Sequence, residues 1–278
     1  MAAPLLTVSG LTDPGRVRPE NQDAFAATDL SKESAGARSI EGPDPRTGVG
    51  GGTLTFFPTS KGILLLVADG LGGTPGGATA SRLAVSATTE AMQRTTVGGP
   101  PNADDAARRL GEAVVEAGRR VRTAGEASPD LRGMGTTITA ALVLEGLVLV
   151  AQVGDSRGYL LRDGNLVQLT RDQSVVQELI EAGAITRAEA RTNPQRNLIL
   201  QALGSAPELE VAFSRSELQP GDRLLLCSDG LWGLVESEKI AEILRVAASP
   251  AESCQALVSR ANARGGTDNI TALVARVD

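Results

Sequence analysis

The chain has 278 residues, with 27 basic and 33 acidic side chains, a net charge of −6 and no histidine. The acidic balance argues against a general nucleic-acid binder. The missing histidine removes Ser-His-Asp and Cys-His mechanisms and His-based zinc sites, leaving carboxylates, Arg, Lys and oxygen-ligated metal as tools.

Hydrophobic residues reach 41% but aromatics only 2%, so the core must be packed from Leu, Val, Ile and Ala. No apolar run approaches the roughly 20 residues of a membrane span. The start, Met1 to Leu6, lacks the regions of a signal peptide. Cys227 and Cys254 imply no disulfide framework and fit a reducing cytoplasm.

Taken in order, residues 7–15 read as a strand entering a turn, and 16–27 as a polar stretch entering a second strand. Residues 29–52, rich in Ser, Gly, Pro and charge, read as a long mobile loop inside one domain spanning 1–278. A strand over 53–57 follows. Ile63 to Ala68 is apolar on both faces, hence a buried strand, and it stops at Asp69-Gly70. Helical spacing returns over 80–91 and over 103–124, separated by Gly98-Gly99-Pro100-Pro101. Closely spaced strands at 136–144, 147–153, 159–161 and 166–169 imply antiparallel hairpins. A helix over 174–182 ends at Gly183, and 184–197 is irregular and polar. Strands near 209–213 and 223–228 precede helices over 237–247 and 250–263. The second of these opens on a capping box, Ser249 to Glu252. A last strand runs from Ile270 to Val277. Helices inserted among hairpins predict an α+β fold with packed sheets and helices outside.

Carboxylates recur where apolar runs end. Asp69 and Asp229 each follow a buried strand and precede Gly-Leu; Asp155 leaves another in Gly154-Asp155-Ser156-Arg157; Asp268 precedes the last strand. Singly, an Asp-Gly after a strand is a common turn. Arg18 alone reads equally as a surface charge, and Asp155 alone as a partner of Arg157 or a turn cap. Thr136 and Thr137 read as structural, Asn269 as a turn or outer hydrogen-bonding residue, and Trp232 as packing. The convergence of Asp69, Asp229 and Asp268 on divalent metal is the reading that unites the carboxylates.

Six motifs stand in one order: Arg18-x-x-Asn21-x-Asp23, Asp69-Gly70-x-Gly72-Gly73, Gly135-Thr136-Thr137, Gly154-Asp155-Ser156-Arg157, Ser228-Asp229-Gly230 and Gly265-x-x-Asp268-Asn269. This resembles the metal-dependent serine/threonine protein phosphatases of type 2C, the PPM family, in its bacterial branch, from about Val8 to Val277. The resemblance implies two packed antiparallel β-sheets flanked by helices, a four-layer α-β-β-α sandwich. It implies two Mn²⁺ or Mg²⁺ ions activating a water that attacks the phosphorus of phosphoserine or phosphothreonine. Asp69 then bridges both ions, the Gly70 carbonyl ligates one, and Asp229 and Asp268 hold the first. Asp23 serves the second, Asp155 a third, and Arg18 grips the phosphate.

The implied partners are phosphorylated proteins, serine/threonine kinases and their targets; the expected state is a cytoplasmic monomer without nucleic acid or membrane. The chain departs from the family at Gln22, where Glu is usual, at Thr74, and at Asp172-Gln173, where Asp-His is usual. Residues 184–197 correspond to the family's flap. The Gln22 departure keeps a second reading open, a catalytically weak regulatory member that binds phosphoproteins.

Overall fold

Strands that are apolar on both faces must be covered on both sides, and the architecture supplies two covers. The computed structural model describes residues 5–31, 39–43, 50–57, 61–71, 76–95, 102–205 and 208–278. The strands are β1 (Leu6–Asp13), β2 (Asp23–Asp29), β3 (Ser39–Gly42), β4 (Gly50–Phe56), β5 (Ile63–Leu71), β6 (Gly135–Thr136), β7 (Ile138–Leu144), β8 (Leu147–Val153), β9 (Arg157–Arg162), β10 (Asn165–Gln168), β11 (Ala212–Glu217), β12 (Arg223–Cys227) and β13 (Ile270–Val277). The helices are α1 (Gly76–Thr95), α2 (Ala103–Ala127), α3 (Val175–Glu181), α4 (Arg187–Ala190), α5 (Asp229–Trp232), α6 (Ser237–Val246) and α7 (Pro250–Ala263).

One sheet has the order β10-β9-β12-β13-β1-β4 and the other β11-β8-β7-β5-β2-β3, with β6 beside β5. The strand period of two sorts side chains into three cores. Along β5, Leu64, Leu66 and Ala68 pack under α1 and α2, whereas Ile63, Leu65 and Val67 face the other sheet. Along β13, Leu273, Ala275 and Val277 enter the same inter-sheet core, and Ala272 and Val274 pack under α5, α6 and α7. The expected α-β-β-α sandwich is therefore present.

Helix ends follow their caps. Asn102 Oδ1 accepts the Asp105 N–H at 2.8 Å to start α2. At α7 the Ser249 hydroxyl accepts the Glu252 N–H, but Glu252 Oε2 accepts the Ala248 N–H, one residue earlier than a capping box requires.

Four further expectations change. Residues 29–52 are not all loop: β3 lies within them and β4 begins at Gly50, while 32–38 and 44–49 lie outside the described residues. The strand expected at 209–213 is β11, shifted to Ala212–Glu217, because Leu209 and Val211 pack on the core under α2 instead. Residues 184–197 contain α4, started by a complete Thr186–Glu189 capping box. Asp229 opens the short helix α5 and does not simply end a strand.

Between the sheets the ring of Phe25, 1% exposed, lies against the β1 backbone. A Cβ at Gly10 would come within 2.2 Å of Phe25 Cε2. Gly10→Ala should cost about 1–3 kcal/mol or more by overpacking. In a Phe25→Leu background that cost should shrink by about 1 kcal/mol, read by urea unfolding of all four proteins in a double-mutant cycle. Additive costs would show that the ring does not set the limit at Gly10.

Candidate active site

The rule that fills the inter-sheet core also builds the site. Phe25 and Ala27 face that core along β2, as Leu65 and Val67 do along β5. The same parity carries Asp23 and Asp69 to one end of the gap, and the two are direct partners in the β2–β5 register. Across the gap the parity of Leu224 and Leu226 continues to Ser228, and that of Leu273 back to Thr271. The apolar core thus becomes polar at one end.

Asp23 is held by that polar end. Ser228 Oγ and Thr271 Oγ1 donate to the same oxygen, Oδ2, at 2.6 and 2.7 Å. Asn21 Nδ2 donates to Thr12 Oγ1 at 2.9 Å, and the Thr12 and Thr271 hydroxyls lie 2.7 Å apart. With the Thr271 proton committed to Asp23, the chain of donors runs Asn21, Thr12, Thr271, Asp23. The other carboxylate oxygen, Oδ1, is buried with no hydrogen-bond partner.

Asp69 is fixed through its backbone. Its N–H donates to Thr137 Oγ1 at 3.0 Å, and its carbonyl accepts from the Thr137 N–H at 2.9 Å and from Thr136 Oγ1 at 2.8 Å. Thr137 Oγ1 in turn meets Ser156 Oγ at 2.6 Å, tying Asp69 to the Asp155 loop. The glycines after each Asp serve close packing. A Cβ on Gly70 would lie 2.2 Å from the Gly77 carbonyl oxygen, and one on Gly230 only 2.0 Å from that of Asn269.

Arg18 and Asp268 come together from the two ends of the chain, Arg18 Nη2 donating to Asp268 Oδ2 at 2.8 Å. Asn269 organises the loop that carries Arg18. Its Oδ1 accepts the Gln22 N–H at 2.8 Å, and its Nδ2 donates to the Pro14 and Glu20 carbonyls at 3.0 and 2.9 Å. Asp155 is not the partner of Arg157, which instead binds Asp172 at 2.6 to 3.1 Å. Gln173, in the place of the family's histidine, accepts the Gly154 N–H at 2.7 Å and donates to the Glu210 carbonyl at 2.9 Å.

Arg18, Gln22, Asp69, Gly70, Asp155, Asp229, Asp268 and Asn269 line one pocket of about 430 Å³, with Glu20, Asn197 and Ile199. Asp23 lies just behind it. Of the residues expected from 184–197, Asn197 reaches this rim. Sequence reasoning passed over Glu20, Thr12, Thr271 and Ser228; the last two carried a readable signal, a hydroxyl at a core-facing position of a buried strand.

Burial first, and crowded like charges second, set the electrostatics. Burial, then the repulsion of Asp229 and Asp268, pushes Asp23 up to about 7 against the pull of Ser228 and Thr271. Burial and Asp268 push Asp229 up to about 6. Asp69 rises well above the usual carboxylate range through burial and the charges of Asp229, Asp23 and Asp155. Asp155 does so through burial and Asp229 and Asp172. Among the described residues no three acidic or Cys side chains are drawn around one point as a finished ion cage. The donor set nevertheless fits a hard divalent cation: it is all oxygen, its carboxylates outnumber the one arginine, Arg18, that lines the pocket, and Asp23 Oδ1 is an orphan.

Residues 53–263 match the family profile described as Protein phosphatase 2C. The chain belongs to the protein phosphatase 2C family. It is 39% identical over 215 residues to serine/threonine phosphatase stp of Listeria monocytogenes, covering 77% of this chain and 84% of that protein. It is 43% identical over 214 residues to serine/threonine protein phosphatase PstP of Mycobacterium tuberculosis, covering 77% of this chain and 40% of that longer protein. The crystal structure of M. tuberculosis PstP/Ppp superposes with a TM-score of 0.79 at 36% identity, covering 99% of both chains. The PstP catalytic domain in complex with two manganese ions superposes with a TM-score of 0.76, also at 36% identity, covering 99% of this chain and 100% of that one.

Within this phosphatase fold the raised carboxylates make stability depend on pH. In the unfolded chain an Asp titrates near about 4. Between about pH 4 and the folded values of about 6 for Asp229 and about 7 for Asp23, only the unfolded state releases its protons, so stability falls as pH rises. With chelator present, the melting temperature should drop across this window, and more steeply than in Asp23→Asn. Saturating Mn²⁺ should restore it most at the alkaline end. Parallel melting curves for Asp23→Asn and the parent would remove Asp23 as the source.

Proposed function

We propose that this chain hydrolyses phosphoserine and phosphothreonine in proteins with Mn²⁺ or Mg²⁺, opposing serine/threonine kinases, as one catalytic domain acting as a cytoplasmic monomer. The observation that carries the reading is the gathering of Asp69, Asp155, Asp229 and Asp268 with Arg18 around one pocket, backed by the buried Asp23. The membership in a family of protein phosphatases supports it. Among the described residues no helix is long and apolar enough to cross a membrane, and both cysteines are free and buried.

Asp229 and Asp268 would hold the first cation, Asp69 would serve the first and the second, the Gly70 carbonyl would ligate one of them, Asp23 would serve the second, and Asp155 would hold a third. Bound in this way, divalent cations make water a nucleophile near neutral pH and neutralise charge on the attacking and leaving oxygens. The chain's own part is to place, neutralise and exclude. Arg18, at the pocket mouth, presents a planar fork that matches two phosphate oxygens and exchanges its Asp268 contact for the phosphate. Asp172 and Gln173 are engaged with Arg157 and Gly154, so the leaving group takes its proton from water or a carboxylic acid.

Hydrolysis of a phosphothreonine peptide should need added Mn²⁺ or Mg²⁺ and stop with chelator. Asp229→Asn should lower it about a hundredfold or more without loss of the fold, because the lost charge faces the pocket and its removal relieves like-charge repulsion in the metal-free chain. Peptide binding without turnover in the metal-loaded parent would establish the weak regulatory reading instead.

Gln22 lines the pocket with a neutral amide. Gln22→Glu should lower the metal concentration for half-maximal turnover of a small phosphate ester, with less effect on the saturated rate. Superimposable metal titrations would show that position 22 does not act on the cations.

A further inference from the structure

Asp155 sits in a short connection between β8 and β9, where no sheet ladder holds it. Its backbone is held from across the site. Trp232 Nε1 donates to the Asp155 carbonyl at 3.0 Å. The Arg157 guanidinium lies 3.6 Å over the Trp232 ring, a cation–π contact. Arg157 is kept there by Asp172, which accepts from both Nε and Nη2, and by the Tyr159 hydroxyl at 3.0 Å. The Arg157 and Asp172 side chains are only 18% and 4% exposed, so this is a largely buried pair with both partners in use. Trp232 is also the last residue of α5, whose first residue is Asp229. One flat, stiff side chain therefore spans from the Asp229 turn to the Asp155 backbone.

We propose that Trp232 is a positioning residue that fixes Asp155 relative to Asp229 through its indole N–H, and thereby sets the affinity for the cation that Asp155 holds. The proposal rests on the reading of Asp155 as a cation ligand. A tryptophan that merely fills space needs its ring alone; here the ring is clamped by Arg157 and the N–H is spent on the Asp155 carbonyl, whose flanking residues Gly154 and Ser156 are held separately by Gln173 and Thr137.

Trp232 is the only tryptophan in the chain, so the emission reports the surroundings of this one indole. The experiment titrates the chelator-stripped chain with Mg²⁺ and follows emission and calorimetry together. The emission change should track the weakest class of binding and disappear in Asp155→Asn. Trp232→Phe keeps a ring for Arg157 and loses the N–H. It should weaken that class about two- to tenfold, the reach of one hydrogen bond, and leave the tighter ions and the KM for a small phosphate ester unchanged. If Trp232→Phe gives the parent isotherm while Asp155→Asn has lost a site, Trp232 only packs and the proposal is overturned, whatever happens to the melting temperature. An emission change that still tracks the weakest class of binding in Asp155→Asn overturns it as well. If Asp155→Asn itself keeps the parent isotherm, Asp155 is no ligand and the reading beneath the proposal fails.

Discussion

Like charge held out of water is the constraint on which this structure turns. Asp23, Asp69, Asp155 and Asp229 stand at one end of the gap between two sheets, each raised by burial before any neighbour is considered. Left alone, such a cluster would oppose folding. The surroundings answer it selectively. Donors are supplied to one oxygen of Asp23 and to the backbone carbonyl of Asp69, while Asp23 Oδ1 stays buried without a partner. Incomplete satisfaction of this kind costs stability, and its return is a strong demand for positive charge at one place.

The frame around the carboxylates is correspondingly rigid. Gly70 and Gly230 let neighbouring backbones approach to distances that no side chain would permit. Asn269 uses its acceptor and both donors on three backbone groups of the loop that carries Arg18. Against this frame the Arg18–Asp268 pair stands apart. Its Arg side chain is 53% exposed, and an exposed pair contributes little to stability, so Arg18 can change partners without disturbing the fold. Fixed carboxylates and one exchangeable cation suit a site that must bind and release an anion.

Much of this was legible in the residue order. The doubly apolar runs at Ile63–Ala68 and Arg223–Cys227 announced strands covered on both faces, and the spacing of Ala103 to Val121 announced α2. The pocket-lining Asp69, Asp155, Asp229 and Asp268 were visible as charges at the ends of apolar runs, whereas Glu20 was not. Short-range elements escaped because nothing periodic marks a helix of four residues, as at α4 and α5. β11 was misplaced because Leu209 and Val211 look like strand residues but serve the helix-side core. The Asn21–Thr12–Thr271 relay escaped because Thr12 and Thr271 lie 259 positions apart and meet only through sheet register. Trp232 read as packing because an indole N–H finds its acceptor in three dimensions, not in sequence.

β1 and β13 lie side by side, and the contacts that finish the site join residues about as far apart as the chain allows: Arg18 with Asp268, 250 positions on, and Asp23 with Thr271, 248 on. During synthesis the ribosome delivers Asp23 and Asp69 early and Asp229, Asp268, Asn269 and Thr271 late. A nascent chain that already holds β2 and β5 still has no donor for Asp23 and no anchor for the Arg18 loop. The polar end of the gap therefore closes only with β13, and an interrupted translation product carries the family's first motifs with their partners still missing.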